Sequence, residues 1–284
     1  MTYNISFGDL PEKLASEGVM LIGYGGEHNL PYDYEELLAN SDTDVVLPEI
    51  LNDDLAAISY TSGTTGSPKG VLLSQVALRE AMMNTVLNLG LMPSDVWYAP
   101  TSSAWITFVL ITMNTVNGMT AVLPEGDFEP HEYFEHINRY KVTVTIMVPI
   151  MMRRLIQLKE EKDIQLPSLR LITYGSSPST PQLIRRAAES FGCGLSQLYG
   201  ITEVTGGWIC VMSPEDTKRG LAGEEHLLRS CGRPALHFDV EIRDADNVVC
   251  PANTSGEIWL RSDCLMTGYL GLEKQTNETL QGGW

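Results

Sequence analysis

From about residue 50 to about residue 200 the chain repeats one pattern, a short apolar run followed by a stretch with helical spacing. "DVWYAP" reads as a strand and "WITFVLITMNTV" as a buried helix. "MTAVLP", "VTVTIMVP" and "LRLITYG" are further strands, and they alternate with the helical "PHEYFEHINRY", "IMMRRLIQLKE" and "TPQLIRRAAESFG". Strands separated by helices of about 10 to 15 residues join in parallel, because a parallel pair needs a long crossover. The expected fold class is α/β, a largely parallel sheet with flanking helices. Hydrophobic residues make up 43% of the chain, enough for a sizeable core. From about residue 206 the helical spacing stops. "GGWICVM", "FDVEIRD", "SGEIWLRS" and "LMTGYL" read as strands between turns, the start of a small β-barrel-like subdomain. The expected boundaries are 1–215 for the α/β part and 216–284 for the β-rich part.

Ahead of the repeat, "PYDYEELLAN" reads as a short helix and "DLAAISYT" as a strand ending near Tyr60. Then comes "YTSGTTGSPKG", residues 60–70. Val71 to Leu73 form a short strand, Ser74 is the N-cap of a helix reaching about Leu89, and Gly90 is its C-cap. The loop is thus read with a strand before it and a helix after it. Gly63, Gly66 and Gly70 allow tight turns and close approach to a ligand. Thr61, Ser62, Thr64 and Thr65 offer hydroxyls, and Lys69 is a flexible point charge suited to phosphate oxygens. These residues describe a loop that wraps a polyphosphate. It is not the G-x-x-x-x-G-K-[ST] loop, since Pro68 precedes the lysine and Gly70 follows it.

The formal net charge of −17 argues against a nucleic-acid surface, which needs clustered Lys and Arg. It leaves room for a small anionic ligand held by a local nest of N–H groups. Five cysteines with irregular spacing and no C-x-x-C pair read as reduced, mostly buried thiols. The five histidines lack metal-ligand spacing. No apolar run is long enough for a transmembrane segment, and the first residues have no signal-peptide pattern, so a cytoplasmic protein is expected.

"YTSGTTGSPKG" resembles the phosphate-binding signature of the adenylate-forming (AMP-binding) superfamily, and further segments agree in order. "VTIMVPIMMRRLI" is similar to the family's strand–Pro–helix segment, and "LRLITYGSSPST" to its Gly-rich adenine-side turn. "LYGITEVTG" resembles its Tyr-Gly-x-Thr-Glu motif. "SCGRPALHFDVEIRDADNVVCPANTSGEIWLRSDCLMTGYL" follows its Gly-x-Pro, Gly-Glu and Gly-Tyr pattern. The resemblance covers about residues 50 to 284. It implies an acyl-CoA synthetase-like fold and activation of a carboxylic acid, fatty or related, by ATP. Acyl-AMP and pyrophosphate form first, and coenzyme A then takes the acyl group as a thioester. It further implies that Thr61, Ser62, Gly63, Thr64, Thr65, Gly66 and Lys69 hold the β- and γ-phosphates. Gly175, Ser176 and Ser177 would line the adenine side, and Tyr199, followed by Gly200, would pack on the ring. Thr202 would reach the α-phosphate and Glu203 would help hold Mg²⁺. Lys69, Thr202 and Glu203 would be the catalytic set. Glu257 reads as structural.

Two departures stand out. Many members of the family carry an aromatic–His pair where this chain has Ser102 and Ser103. Trp105 close by is a candidate for either the acyl pocket or the core. No Asp lies between Pro100 and Leu123 to pair with a substrate amino group, which favours a plain carboxylic acid over an amino acid. The family's Thr-Gly-Asp motif, its C-terminal lid domain and its long N-terminal region have no counterpart here, so the chain reads as a central piece of a longer enzyme. The alternatives are a non-catalytic ATP- or AMP-binding module and an amino-acid adenylating domain of a peptide synthetase.

Overall fold

The computed structural model describes residues 8–26, 28–61, 67–100, 116–124, 126 and 128–284. The chain divides into two compact units, Met1–Ile50 and Leu51–Trp284. In the first, helix α1 (Leu10–Ser16) precedes two short parallel strands, β1 (Ile22–Gly23) and β2 (Tyr32–Asp33). Asp33 then caps α2 (Tyr34–Ala39), its carboxylate accepting from the Glu36 amide at 3.0 Å. This satisfies one of the helix's unpaired N–H groups.

The second unit opens with an antiparallel hairpin, β3 (Leu55–Thr61) and β4 (Lys69–Ser74). Ser74 ends β4 and caps α3 (Gln75–Leu89), its hydroxyl accepting from the Ala77 amide, and Gly90 closes the helix at φ 56. Both caps match the sequence reading. The alternating part follows. It comprises β5 (Val96–Tyr98), β6 (Thr120–Val122), α4 (Pro130–Arg139), β7 (Val144–Met147), α5 (Pro149–Lys162), β8 (Leu171–Gly175), α6 (Pro181–Phe191) and β9 (Gly194–Tyr199). β10 (Cys210–Met212) and β11 (Arg233–Pro234) complete a sheet that, among the described residues, runs β11-β10-β9-β8-β7-β5-β6. The pairs from β6 through β9 are parallel, and β10 and β11 are antiparallel.

Successive side chains on these strands point to opposite faces, and each face has its own cover. Trp97, Ile146, Leu171 and Leu198 pack against Leu78, Ala81 and Met82 of α3. Tyr98, Met147, Ile172 and Leu195 pack on the other face against α4, α5 and α6. This two-sided burial explains why β7 and β8 read as unbroken apolar runs.

The reading beyond residue 206 needs correction. Helices do not stop there. α7 (Pro214–Leu221) starts from Ser213, whose hydroxyl accepts from the Asp216 amide at 3.0 Å, and α8 spans Glu273–Thr279. Both are short and polar, so their apolar spacing is faint. "GGWICVM" supplies β10, which extends the main sheet. "FDVEIRD" and "SGEIWLRS" form a separate antiparallel pair, β12 (Asp239–Arg243) and β13 (Glu257–Arg261). "LMTGYL" supplies β14 (Gly268–Tyr269), which returns to pair with β4. The helix expected at "WITFVLITMNTV" falls almost wholly on residues 101–115, outside the described residues. Among the described residues no helix is long and apolar enough to cross a membrane. All five cysteines are free, but only Cys210 and Cys264 are fully buried.

Candidate nucleotide site

In open α/β sheets ligands gather at the carboxyl ends of the strands. Here β8 and β9 end side by side, with Gly175 opposite Leu198. Gly175 is held to glycine by crowding, since a Cβ on it would lie 2.4 Å from the Leu198 carbonyl oxygen. Ser176 follows at φ 67, a left-handed conformation that a residue with a Cβ adopts only at some cost. The side chains of Ser176 and Ser177 face solvent. At the end of β9 Tyr199 is half-buried. Burial, and then the nearby thiols of Cys231 and Cys210, push its phenol pKa up. Gly200 comes next, where a Cβ would lie 2.5 Å from the Gly207 carbonyl oxygen.

The chain then makes a 3-10 turn, Thr202–Val204, ending in Thr205 at φ 57. The Thr205 amide donates to the Thr202 carbonyl at 2.9 Å, and its hydroxyl donates to the Cys264 carbonyl at 2.7 Å. The Met266 amide donates to the Glu203 carbonyl at 2.8 Å. The turn is thereby tied to residues 264–266, which lead directly into β14. β14 pairs with β4, Tyr269 opposite Val71, and the Leu270 amide donates to the Gly70 carbonyl at 2.8 Å. Three side chains converge as a result. The Tyr269 hydroxyl donates to Glu203 Oε1 at 2.8 Å, and Lys69 Nζ lies 5.0 Å from the centre of the same ring. Burial, reinforced by the bond to Glu203, pushes the Tyr269 phenol up to about 12.

A lysine and a carboxylate thus meet one tyrosine, in a turn that follows the carboxyl end of β9. Comparison with known proteins gives the family. The family model for AMP-binding enzymes matches residues 10–270. The chain belongs to that family. It is 30% identical over 256 residues to a 2-succinylbenzoate–CoA ligase of Bacillus cytotoxicus, covering 89% of this chain and 50% of that one. Among solved structures it resembles the amide bond synthetase McbA of Marinactinospora thermotolerans, with a TM-score of 0.83 and 29% identity, over 97% of this chain and 53% of that one. It also resembles the O-succinylbenzoate coenzyme A synthetase (MenE) of Bacillus subtilis in complex with ATP and magnesium ion. There the TM-score is 0.80 and the identity 26%, over 97% of this chain and 57% of that one. The chain spans about half the length of the curated relatives it matches.

Within this AMP-binding chain, Thr61 ends β3 directly opposite Lys69 at the start of β4. The segment that the sequence reading assigned to phosphate therefore joins two antiparallel strands. β4 follows it and α3 comes next, in the order of short strand and Ser74-capped helix that the sequence reading gave. Ser62, Gly63, Thr64, Thr65 and Gly66 lie outside the described residues, as do Ser102, Ser103 and Trp105. Gly175, Ser176 and Ser177 sit beside Tyr199 and Gly200, and Thr202 and Glu203 continue from them in one turn. Tyr269 is the residue that the sequence reading missed. "LMTGYL" carried a signal in its Gly-Tyr pair, but the partners of Tyr269 are distant in sequence.

Among the described residues no three His, Cys, Asp or Glu side chains cluster as a metal site. The Glu203 carboxylate beside Tyr269 offers a single hard oxygen donor. That suits Mg²⁺, which keeps waters and phosphate oxygens and takes only one or two protein carboxylates.

Proposed function

We propose that this chain carries the nucleotide site of an acid–CoA ligase. In this reading ATP and a carboxylic acid give acyl-AMP and pyrophosphate, and coenzyme A then takes the acyl group. The observation that supports it best is the convergence of Lys69 and Glu203 on Tyr269, in a chain whose family match runs from residue 10 to residue 270. Lys69 and the loop before it would bind the β- and γ-phosphates, and Thr202 the α-phosphate. Gly175 to Ser177 and Tyr199 would hold adenine. Glu203 would hold Mg²⁺, which when bound draws negative charge from the phosphate oxygens. No enzyme nucleophile is required. The work of these residues is to align the carboxylate with the α-phosphate and to stabilise charge as pyrophosphate leaves. The free state of all five cysteines supports a cytoplasmic setting.

The test is exchange of labelled pyrophosphate into ATP, run with a panel of fatty, aromatic and amino acids, together with ATP binding by calorimetry. Lys69→Ala should weaken ATP binding by about tenfold or more, as loss of a charged phosphate contact does. Glu203→Gln should remove the Mg²⁺ dependence. ATP binding unchanged in both variants would sink the site. Exchange driven only by amino acids would replace the acid–CoA reading with amino-acid adenylation. Binding without exchange for any acid would favour a non-catalytic module.

The acceptor calls for a separate measurement, because one structure this chain resembles is named an amide bond synthetase. Incubation with ATP, the activating acid and coenzyme A should give the thioester and AMP, and a parallel incubation with an amine should give no amide. Product from the amine alone would place the chain with the amide-forming enzymes.

A further inference from the structure

Lys69 and Glu203 carry opposite charges at the same ring, yet among the described residues they form no ion pair with each other. Tyr269 contacts both. Its ring lies under the ammonium at 5.0 Å, and its hydroxyl holds Glu203 Oε1 at 2.8 Å. The tyrosine is itself fixed. It is buried with Val71, Leu73 and Met266, its amide donates to Thr276 Oγ1 at 2.9 Å, and its strand is hydrogen-bonded to β4. A direct Lys–Glu pair would neutralise both groups and turn each away from a ligand. A π face satisfies an ammonium more weakly than a carboxylate does, and so leaves it able to exchange the ring for phosphate oxygens. A single phenol hydrogen bond occupies one carboxylate oxygen and orients the other.

We propose that Tyr269 is a positioning residue that separates Lys69 from Glu203, keeping the ammonium available to phosphate and the carboxylate available to the accompanying cation. This inference rests on the nucleotide-site reading of Lys69 and Glu203. The two halves of the role are separable, because phenylalanine keeps the ring and loses the hydroxyl, whereas leucine loses both.

The experiment is calorimetric titration of the full chain with ATP, once with MgCl₂ and once with EDTA, for the parent, Tyr269→Phe, Tyr269→Leu, Lys69→Ala, Glu203→Gln and the Tyr269→Phe/Glu203→Gln double variant. Tyr269→Phe should bind ATP in EDTA within about twofold of the parent, because the ring under Lys69 remains. Its gain in affinity from Mg²⁺ should fall by about tenfold, the usual scale for a hydrogen bond to a charged group. Tyr269→Leu should also lose about three- to tenfold in EDTA, as Lys69 swings to Glu203. In the Glu203→Gln background, Tyr269→Phe should add nothing beyond about twofold. An equal loss with and without Mg²⁺, or an undiminished loss in the Glu203→Gln background, would overturn the proposal. Tyr269→Phe preserves the packing, so it decides the matter even if Tyr269→Leu fails to fold. If Lys69→Ala and Glu203→Gln both weaken binding while the Tyr269 variants match the parent, only the role of Tyr269 falls. If Lys69→Ala and Glu203→Gln bind like the parent, the nucleotide-site reading falls and takes this proposal with it.

Discussion

The hydroxyl of Thr205 donates to the carbonyl of Cys264 at 2.7 Å from a backbone held at φ 57. A β-branched residue rarely adopts that conformation, so the bond and its surroundings must hold it there. The link joins the turn that carries Glu203 to the segment that leads to Tyr269. Thr205→Val keeps the shape and removes the donor, leaving the Cys264 carbonyl without this partner. A loss of about 1–3 kcal/mol in urea unfolding is expected, together with weaker ATP binding because Glu203 loses its support. Stability within about 0.5 kcal/mol of the parent would show that the link is incidental.

Gly175 and Gly200 test the proposed adenine side. A Cβ at either position meets a main-chain oxygen, at 2.4 Å from Leu198 and 2.5 Å from Gly207, and a main chain cannot rotate aside as a side chain can. Gly175→Ala should force β8 and β9 apart where they end, at about 1–3 kcal/mol, and weaken ATP binding more than it lowers the melting temperature would suggest. Gly192→Ala is the control. It too changes a glycine, but its Cβ would meet nothing within 4 Å, and its cost comes only from φ 65 at the end of α6. If Gly175→Ala binds ATP as the control does, the close approach at Gly175 does not shape the site.

Much of the α/β part was legible because its signals are local. Ser74 and Gly90 bracket α3 by side-chain and backbone chemistry that a sequence displays directly. The apolar runs of β7 and β8 are long enough to stand out. The polar helices α7 and α8 were not legible, because caps and charges form them rather than an apolar stripe. Nor was the return of "LMTGYL" to β4, which makes a two-residue strand, Gly268 and Tyr269, from the distant partners Leu72 and Val71. Lys69 was singled out by the glycines and hydroxyls around it, Tyr199 and Glu203 through family resemblance and not through spacing. Tyr269 needed the fold, since only the pairing of β14 with β4 brings it to Lys69 and Glu203.

Acid should weaken the start of β5, where Asp95 is held. Burial pushes the Asp95 carboxyl up, but hydrogen bonds from Arg170, the Met92 amide and the Thr143 hydroxyl, with the Arg170 charge, hold it below its ordinary 3.8. The folded carboxylate therefore takes up a proton less readily than the unfolded one. Its contribution is fully present above the unfolded value and is lost as pH falls through the folded one. Asp95→Asn should lower stability at neutral pH and flatten the acid limb of the stability curve. Urea midpoints at several values between about pH 6 and about pH 3 would show it. An acid limb as steep as the parent's would mean that other carboxylates govern acid unfolding.

The β12–β13 pair is braced by stacked cations and rings. The Arg243 guanidinium lies 4.4 Å from the centre of Trp259 and 4.6 Å from that of Trp284, and Arg261 lies 4.8 Å from Trp284. Glu241 and Asp239 fix the two arginines through their side-chain nitrogens at 2.6–2.9 Å. A planar guanidinium can lie against two rings at once, and the compact ammonium of lysine cannot. Arg243→Lys should therefore cost about 1 kcal/mol although the charge is kept, and it should shift tryptophan emission as two indoles lose their neighbour. In the Trp284→Leu background the same change should cost less, because one of the two rings is already gone. Equal costs in the two backgrounds would mean that Arg243 and Trp284 lie close without interacting.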